Sequence, residues 1–189
     1  MVKIVPPQAR SVISDDGDAL QITIPTRKNW FLILFMGAWM GGWFMGETSA
    51  IGQLTGERSN SGGDAFLMFW LAAWTVGGVF ALFTWLWNLA GIERVMFRGD
   101  SVLIRREVLG VGFTREYDAT QVRNLRLSGI APSNMFAWRN SGRFWGQTGG
   151  MITFDYGSST VQFGGGIDEA EAAQLVERAQ SRFPALRGK

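Results

Sequence analysis

Two uninterrupted apolar blocks dominate the polarity pattern of the chain. One runs from Trp30 to Gly46 and the other from Ala65 to Ala90, and neither contains a charged residue. At 1.5 Å per residue they cover about 25 Å and roughly 39 Å, against a hydrocarbon core of about 30 Å. Soluble helices of this length normally keep a polar face. Both blocks are therefore expected to be transmembrane helices, at 29–46 and 65–90, joined by a short external linker at 47–64. Small residues recur at four-residue spacing, Gly37 and Gly41 in the first block and Ala73, Gly77 and Ala81 in the second. Such stripes let helix backbones approach closely in lipid. Packing of the hairpin on itself is the simpler use of them, and homo-oligomerisation the other. Trp30, Trp43, Trp70, Trp85 and Trp87 lie towards the block ends, as in an interfacial aromatic belt.

Outside the blocks the period changes from helical to alternating. Leu20, Ile22 and Ile24 alternate with polar residues after Asp15-Asp16-Gly17-Asp18, which predicts a hairpin with one buried face. Strands are expected at Ile92–Phe97, Val102–Glu107, Gly112–Tyr117, Val122–Leu127, Met151–Tyr156 and Thr160–Phe163. Breaks fall at Arg98-Gly99-Asp100, near Gly110 and at Gly157-Ser158-Ser159. The final element predicts a helix. Asp168 and Glu171 have capping-box spacing, Ala172, Leu175, Val176, Ala179 and Phe183 form an apolar stripe, and Pro184 ends it. Strands closed by one amphipathic helix suggest a small barrel or sandwich. A lone hairpin is too short to fold by itself. Residues 1–28 are therefore expected to join the sheet formed by 91–189, with the membrane hairpin inserted between.

Composition narrows the chemistry. The chain of 189 residues has no Cys and no His. That removes disulfides, thiolate and imidazole catalysis, and the usual zinc and copper sites. No tight acidic cluster suggests a carboxylate metal site. No enzyme activity, cofactor or metal is expected, and with a net charge of only +2, no nucleic-acid partner. The mixed polar N-terminus does not read as a signal peptide. Arg27 and Lys28 precede the first block, and Arg94 and Arg98 follow the second. The linker is mostly acidic, with Glu47, Glu57 and Asp64 against Arg58. By the positive-inside rule both termini are expected in the cytoplasm.

The run Met151-Ile-Thr-Phe-Asp-Tyr-Gly157, followed by Val161-Gln-Phe-Gly-Gly-Gly-Ile-Asp-Glu-Ala-Glu171, resembles the last hairpin and helix entry of bacterial pleckstrin-homology-like membrane proteins. The likeness covers the chain after residue 91 and, more thinly, the N-terminal hairpin. It implies a membrane α-helical hairpin of two spans plus a mainly-β, PH-like barrel or sandwich with a C-terminal amphipathic helix. It also implies multi-pass residence in a bacterial inner membrane, and a binding or scaffolding role without catalytic residues.

Three segments are candidate sites. The stretch 128–150 is long for a loop and interleaves Met135, Phe136, Trp138, Phe144 and Trp145 with Arg139 and Arg143. Rings beside guanidinium groups suit a lipid headgroup layer or a protein groove. The resemblance also implies anionic headgroup contact, since eukaryotic relatives of that fold often bind phosphoinositides through basic residues in an early hairpin. Arg98, Arg105 and Arg106 loosely fit that pattern, although Arg105 and Arg106 must point to opposite faces of one strand. Phe163-Gly-Gly-Gly-Ile167 precedes the last helix, where a glycine turn can hold phosphate. Asp168, Glu169 and Glu171 would repel an anion there, so a flexible connection is expected. Asp155 reads as a structural carboxylate. The chain is thus expected to be a membrane-anchored scaffolding module that assists a membrane protein complex or contacts anionic lipid. Membrane lipids, another membrane protein or a second copy are its expected partners. The alternative is an oligomeric small pore or transport accessory subunit.

Overall fold

The computed structural model describes residues 9–55, 61–128 and 150–187. They fall into two compact units, a β unit from the described parts of Met1–Arg27 and Ala90–Lys189, and a helical unit from Lys28–Leu89.

The β unit holds two antiparallel sheets. The first has five strands in chain order: β1 (Val12–Asp15), β2 (Ala19–Pro25), β3 (Gly91–Arg98), β4 (Ser101–Val108) and β5 (Val111–Asp118). The second has three: β6 (Val122–Leu127), β7 (Ile152–Tyr156) and β8 (Ser159–Phe163). β2 pairs with β3 along its whole length, from Ala19 opposite Arg98 to Pro25 opposite Ile92. The sheet is therefore continuous across the helical insertion. Period-2 alternation explains the core. Leu20, Ile22 and Ile24 of β2, Val95 and Phe97 of β3, and Val102 and Ile104 of β4 meet Val122, Leu125, Ile152, Phe154 and Phe163 of the second sheet.

Helix α3 (Glu169–Arg182) closes the core with Ala172, Leu175, Val176 and Ala179. Asp168 caps it, accepting from the Glu171 N–H at 2.8 Å. The reciprocal arm of the expected capping box goes elsewhere. The Glu171 carboxylate accepts from the backbone N–H and hydroxyl of Ser11, at 2.7 and 2.6 Å, and ties the start of the sheet to the last helix. A 3-10 turn at Pro184–Leu186 follows. The glycine run before α3 serves close approach and backbone geometry. Gly164 has φ +83°, and a Cβ on Gly166 would collide with the Pro25 carbonyl.

The helical unit corrects the expected two-span fold. Its helices are α1 (Trp30–Thr55) and α2 (Ser61–Ala90). Among the described residues, one helical stretch, Ala65–Ala90, is long and apolar enough to cross a membrane. α1 is long, but five glycines and three tryptophans dilute its apolar character, and it carries Glu47 before a polar last turn. The expected boundary at Gly46 also moves. The helix continues through Glu47–Thr55, because no proline or strong breaker interrupts it, and α2 begins at Ser61.

Candidate functional site

The contacts within the helical unit run antiparallel, pairing Gly37 with Trp85, Trp43 with Gly78, and Glu47 with Thr75. Trp85 donates its indole N–H to the Ile33 carbonyl at 2.8 Å. Trp43 lies so close over Gly78 that a Cβ there would fall within the ring. Trp43, Trp85 and Trp87 are thus turned largely inward, whereas Trp30 keeps 61% of its surface exposed. Of the small-residue stripe, Gly37 touches the Trp85 ring. Gly41 and Gly77 face open space, and Ala73 is exposed.

Glu47 is the one ionisable side chain buried among the described residues of this unit. Its Oε1 accepts from the Thr75 hydroxyl at 2.5 Å, whereas Oε2 is buried without a partner. The indole N–H groups of Trp43 and Trp74, one helical turn and one residue from that pair, are buried and unpartnered as well. Buried polar groups normally find partners, and an ionisable group among apolar helices marks a place of function. As the first charge after an apolar run, Glu47 reads in the sequence as linker. Only the facing Thr75 reveals that it lies inside the helix pair.

Little else on these helices is covered. Phe31, Leu34, Phe44 and Met45 of α1 are 63–78% exposed, as are Phe66, Phe69 and Val76 of α2, at 70–75%. Of the α2 span itself, 6% is buried. A surface this large and apolar marks an interaction with lipid or protein.

Arg94, Arg105, Arg106 and Arg126 of the β unit are engaged in ion pairs. Arg106, on the core side of β4, meets Glu93 at 2.8 Å and donates to the Gln162 carbonyl at 3.1 Å. The second oxygen of Glu93 accepts from the Gly164 N–H at 2.7 Å, so one carboxylate joins both sheets. On the opposite face, Arg94 and Arg105 both contact the buried Glu107, at 2.8 and 2.7 Å. Arg98 lines a shallow concavity with Asp18 and Asp100. The three candidate headgroup arginines, Arg98, Arg105 and Arg106, therefore stand apart, each beside carboxylates.

Asp155 sits in a second polar cluster. A register shift in β6 between Arg123 and Arg126 accompanies Asn124 at φ 55°. Arg126 then grips both Asp155 oxygens, at 2.8 and 3.0 Å, and the Asn124 amide donates at 3.0 Å. The Arg126 hydrogen bonds, then that of Asn124, hold the Asp155 carboxyl below its ordinary pKa. The Thr120 hydroxyl, then its backbone N–H, does the same for Asp118 at the end of β5. Met135, Phe136, Trp138, Arg139, Arg143, Phe144 and Trp145 lie outside the described residues. No protein-family model and no curated protein sequence matches the chain.

Proposed function

We propose that this chain is a non-enzymatic binding module held in a membrane through the exposed apolar surface of its helical unit, α2 foremost, with the β unit working at the lipid surface. The single observation that carries this reading is the outward apolar surface of α2, where Phe66, Phe69, Val76 and Val79 are 58–75% exposed. In water, each large side chain of this kind forgoes about 1.5–3 kcal/mol of burial. Lipid removes that penalty for the whole span at once. Arg94 and Arg98 follow α2 closely, and the positive-inside rule then puts the β unit in the cytoplasm. The resemblance to bacterial PH-like membrane proteins is supported by the two antiparallel sheets and the terminal helix that closes their core, and a scaffolding role comes with it.

Alkaline carbonate washing of membranes from cells expressing the chain tests the anchor. The chain is expected to stay in the pellet. Its release into the supernatant, with a monodisperse peak in buffer free of detergent, would overturn the proposal.

A further inference from the structure

β4 and β5 meet in a two-residue turn, Leu109-Gly110, between the paired residues Val108 and Val111. Both turn residues have positive φ, 52° at Leu109 and 86° at Gly110. That geometry suits the twist of a hairpin, but it normally selects Asn or Gly at its first position. A leucine there is strained, and this one is 76% exposed. The following strand continues the anomaly. Val111, Phe113, Arg115 and Tyr117 share one face of β5. Their cross-strand partners Val108, Arg106, Ile104 and Val102 fix that face as the core side. Tyr117 is covered, edge-on to Phe154 and Tyr156 at 5.4 and 5.1 Å. Beyond it the cover ends. Val111 and Phe113 are each 81% exposed, and Arg115 is exposed between them and Tyr117.

The register also locates this tip. Gly91 pairs with Val108, and Val108 with Val111, so the three form one row across β3, β4 and β5. Gly91 directly follows Ala90, the last residue of α2. Strands lie 4.7–4.9 Å apart, so Val111 stands about 10 Å from the residue at which the chain leaves α2.

We propose that the β4–β5 tip inserts into the surface of an anionic lipid bilayer, with Leu109, Val111 and Phe113 entering the acyl boundary and Arg115 meeting a phosphate headgroup. The proposal rests on the reading of α2 as a membrane helix, which brings Gly91 to the lipid surface. A bilayer is favoured over a protein groove by two features. The apolar groups sit at a hairpin turn two strands across from the residue at which the chain leaves α2, and the cation follows them along the strand in the order in which acyl chains give way to phosphates.

The chain has no cysteine, so single labels are clean. Full-length Val111→Cys, Phe113→Cys and Glu116→Cys chains would carry an environment-sensitive fluorophore. Each would be reconstituted into vesicles of phosphatidylethanolamine and phosphatidylglycerol, with and without spin-labelled lipid. Labels at 111 and 113 are expected to emit to the blue, and to be quenched by the spin label several-fold more than the label at 116. If the chain floats with the vesicles while all three labels stay equally wet, the tip proposal is overturned and the anchor stands. If 111 and 113 are shielded from aqueous iodide but untouched by spin-labelled lipid, a protein covers the tip, which also overturns it. Failure to float overturns the anchor and the tip together.

Discussion

Asp155 shows how one residue organises its neighbourhood. Arg126, Asn124 and Thr160 all donate to it, and Asn124 reaches it from a backbone conformation that a bulky side chain would resist. A carboxyl whose folded pKa lies below its unfolded value stabilises the fold above the unfolded value. It loses that contribution as pH falls through the folded one. The β unit is therefore expected to weaken as pH drops below about 4. Asp155→Asn should flatten that dependence at the acid end while lowering the melting temperature at pH 7 only slightly. The pair is more than one-third exposed on both sides, which screens its worth to under about 1 kcal/mol. Thermal melts at pH 3 and pH 7 check this, and identical acid sensitivity in the variant would place the titrating group elsewhere. Glu47 has the opposite character, an isolated carboxylate whose partner comes from a different helix. The residues that sequence reading passed over are of this kind. Their role depends on what faces them, and Thr75 is nearly thirty positions away from Glu47.

At the level of elements, the fit of α1 to α2 depends on glycines that accept indole rings. Gly78→Leu would drive a side chain into the space of Trp43 and is expected to cost about 1–3 kcal/mol, as overpacking does. Adding Trp43→Ala should return part of the loss. The two changes would then be non-additive, as contacting residues are in a double-mutant cycle. Unfolding in mild detergent measures all four chains, and simple additivity would separate the two residues. Alternation alone read the strands closely. Val122–Leu127 agrees residue for residue, and most others differ by one or two positions at their ends. α3 was equally plain from its cap and stripe. The first block misled because a run without charge looks like a membrane helix whatever its glycine content. The exposed tip at Leu109–Phe113 was invisible, because a short apolar strand beside a glycine carries no sign of where the opposite sheet stops covering it.

For the molecule as a whole, β1 and β2 complete a sheet whose other strands follow both helices in the sequence. β2 supplies Leu20, Ile22 and Ile24, each 1% exposed. At about 1.5–3 kcal/mol per buried side chain, their loss rivals the 5–15 kcal/mol by which a typical domain is stable. A chain lacking residues 1–26 is expected to show no cooperative melt of the β unit, and to aggregate through the bared edge of β3. A sharp transition in the shortened chain would make β1 and β2 accessory. The interleaving also imposes a timetable. Ribosomes add about 5–20 residues per second, so the opening hairpin waits several seconds for β3, while both helices emerge first. Whatever receives those helices from the ribosome acts on a protein that has not yet closed its sheet. A defect in handling them would therefore surface as misfolding in the sheet rather than in the helices themselves.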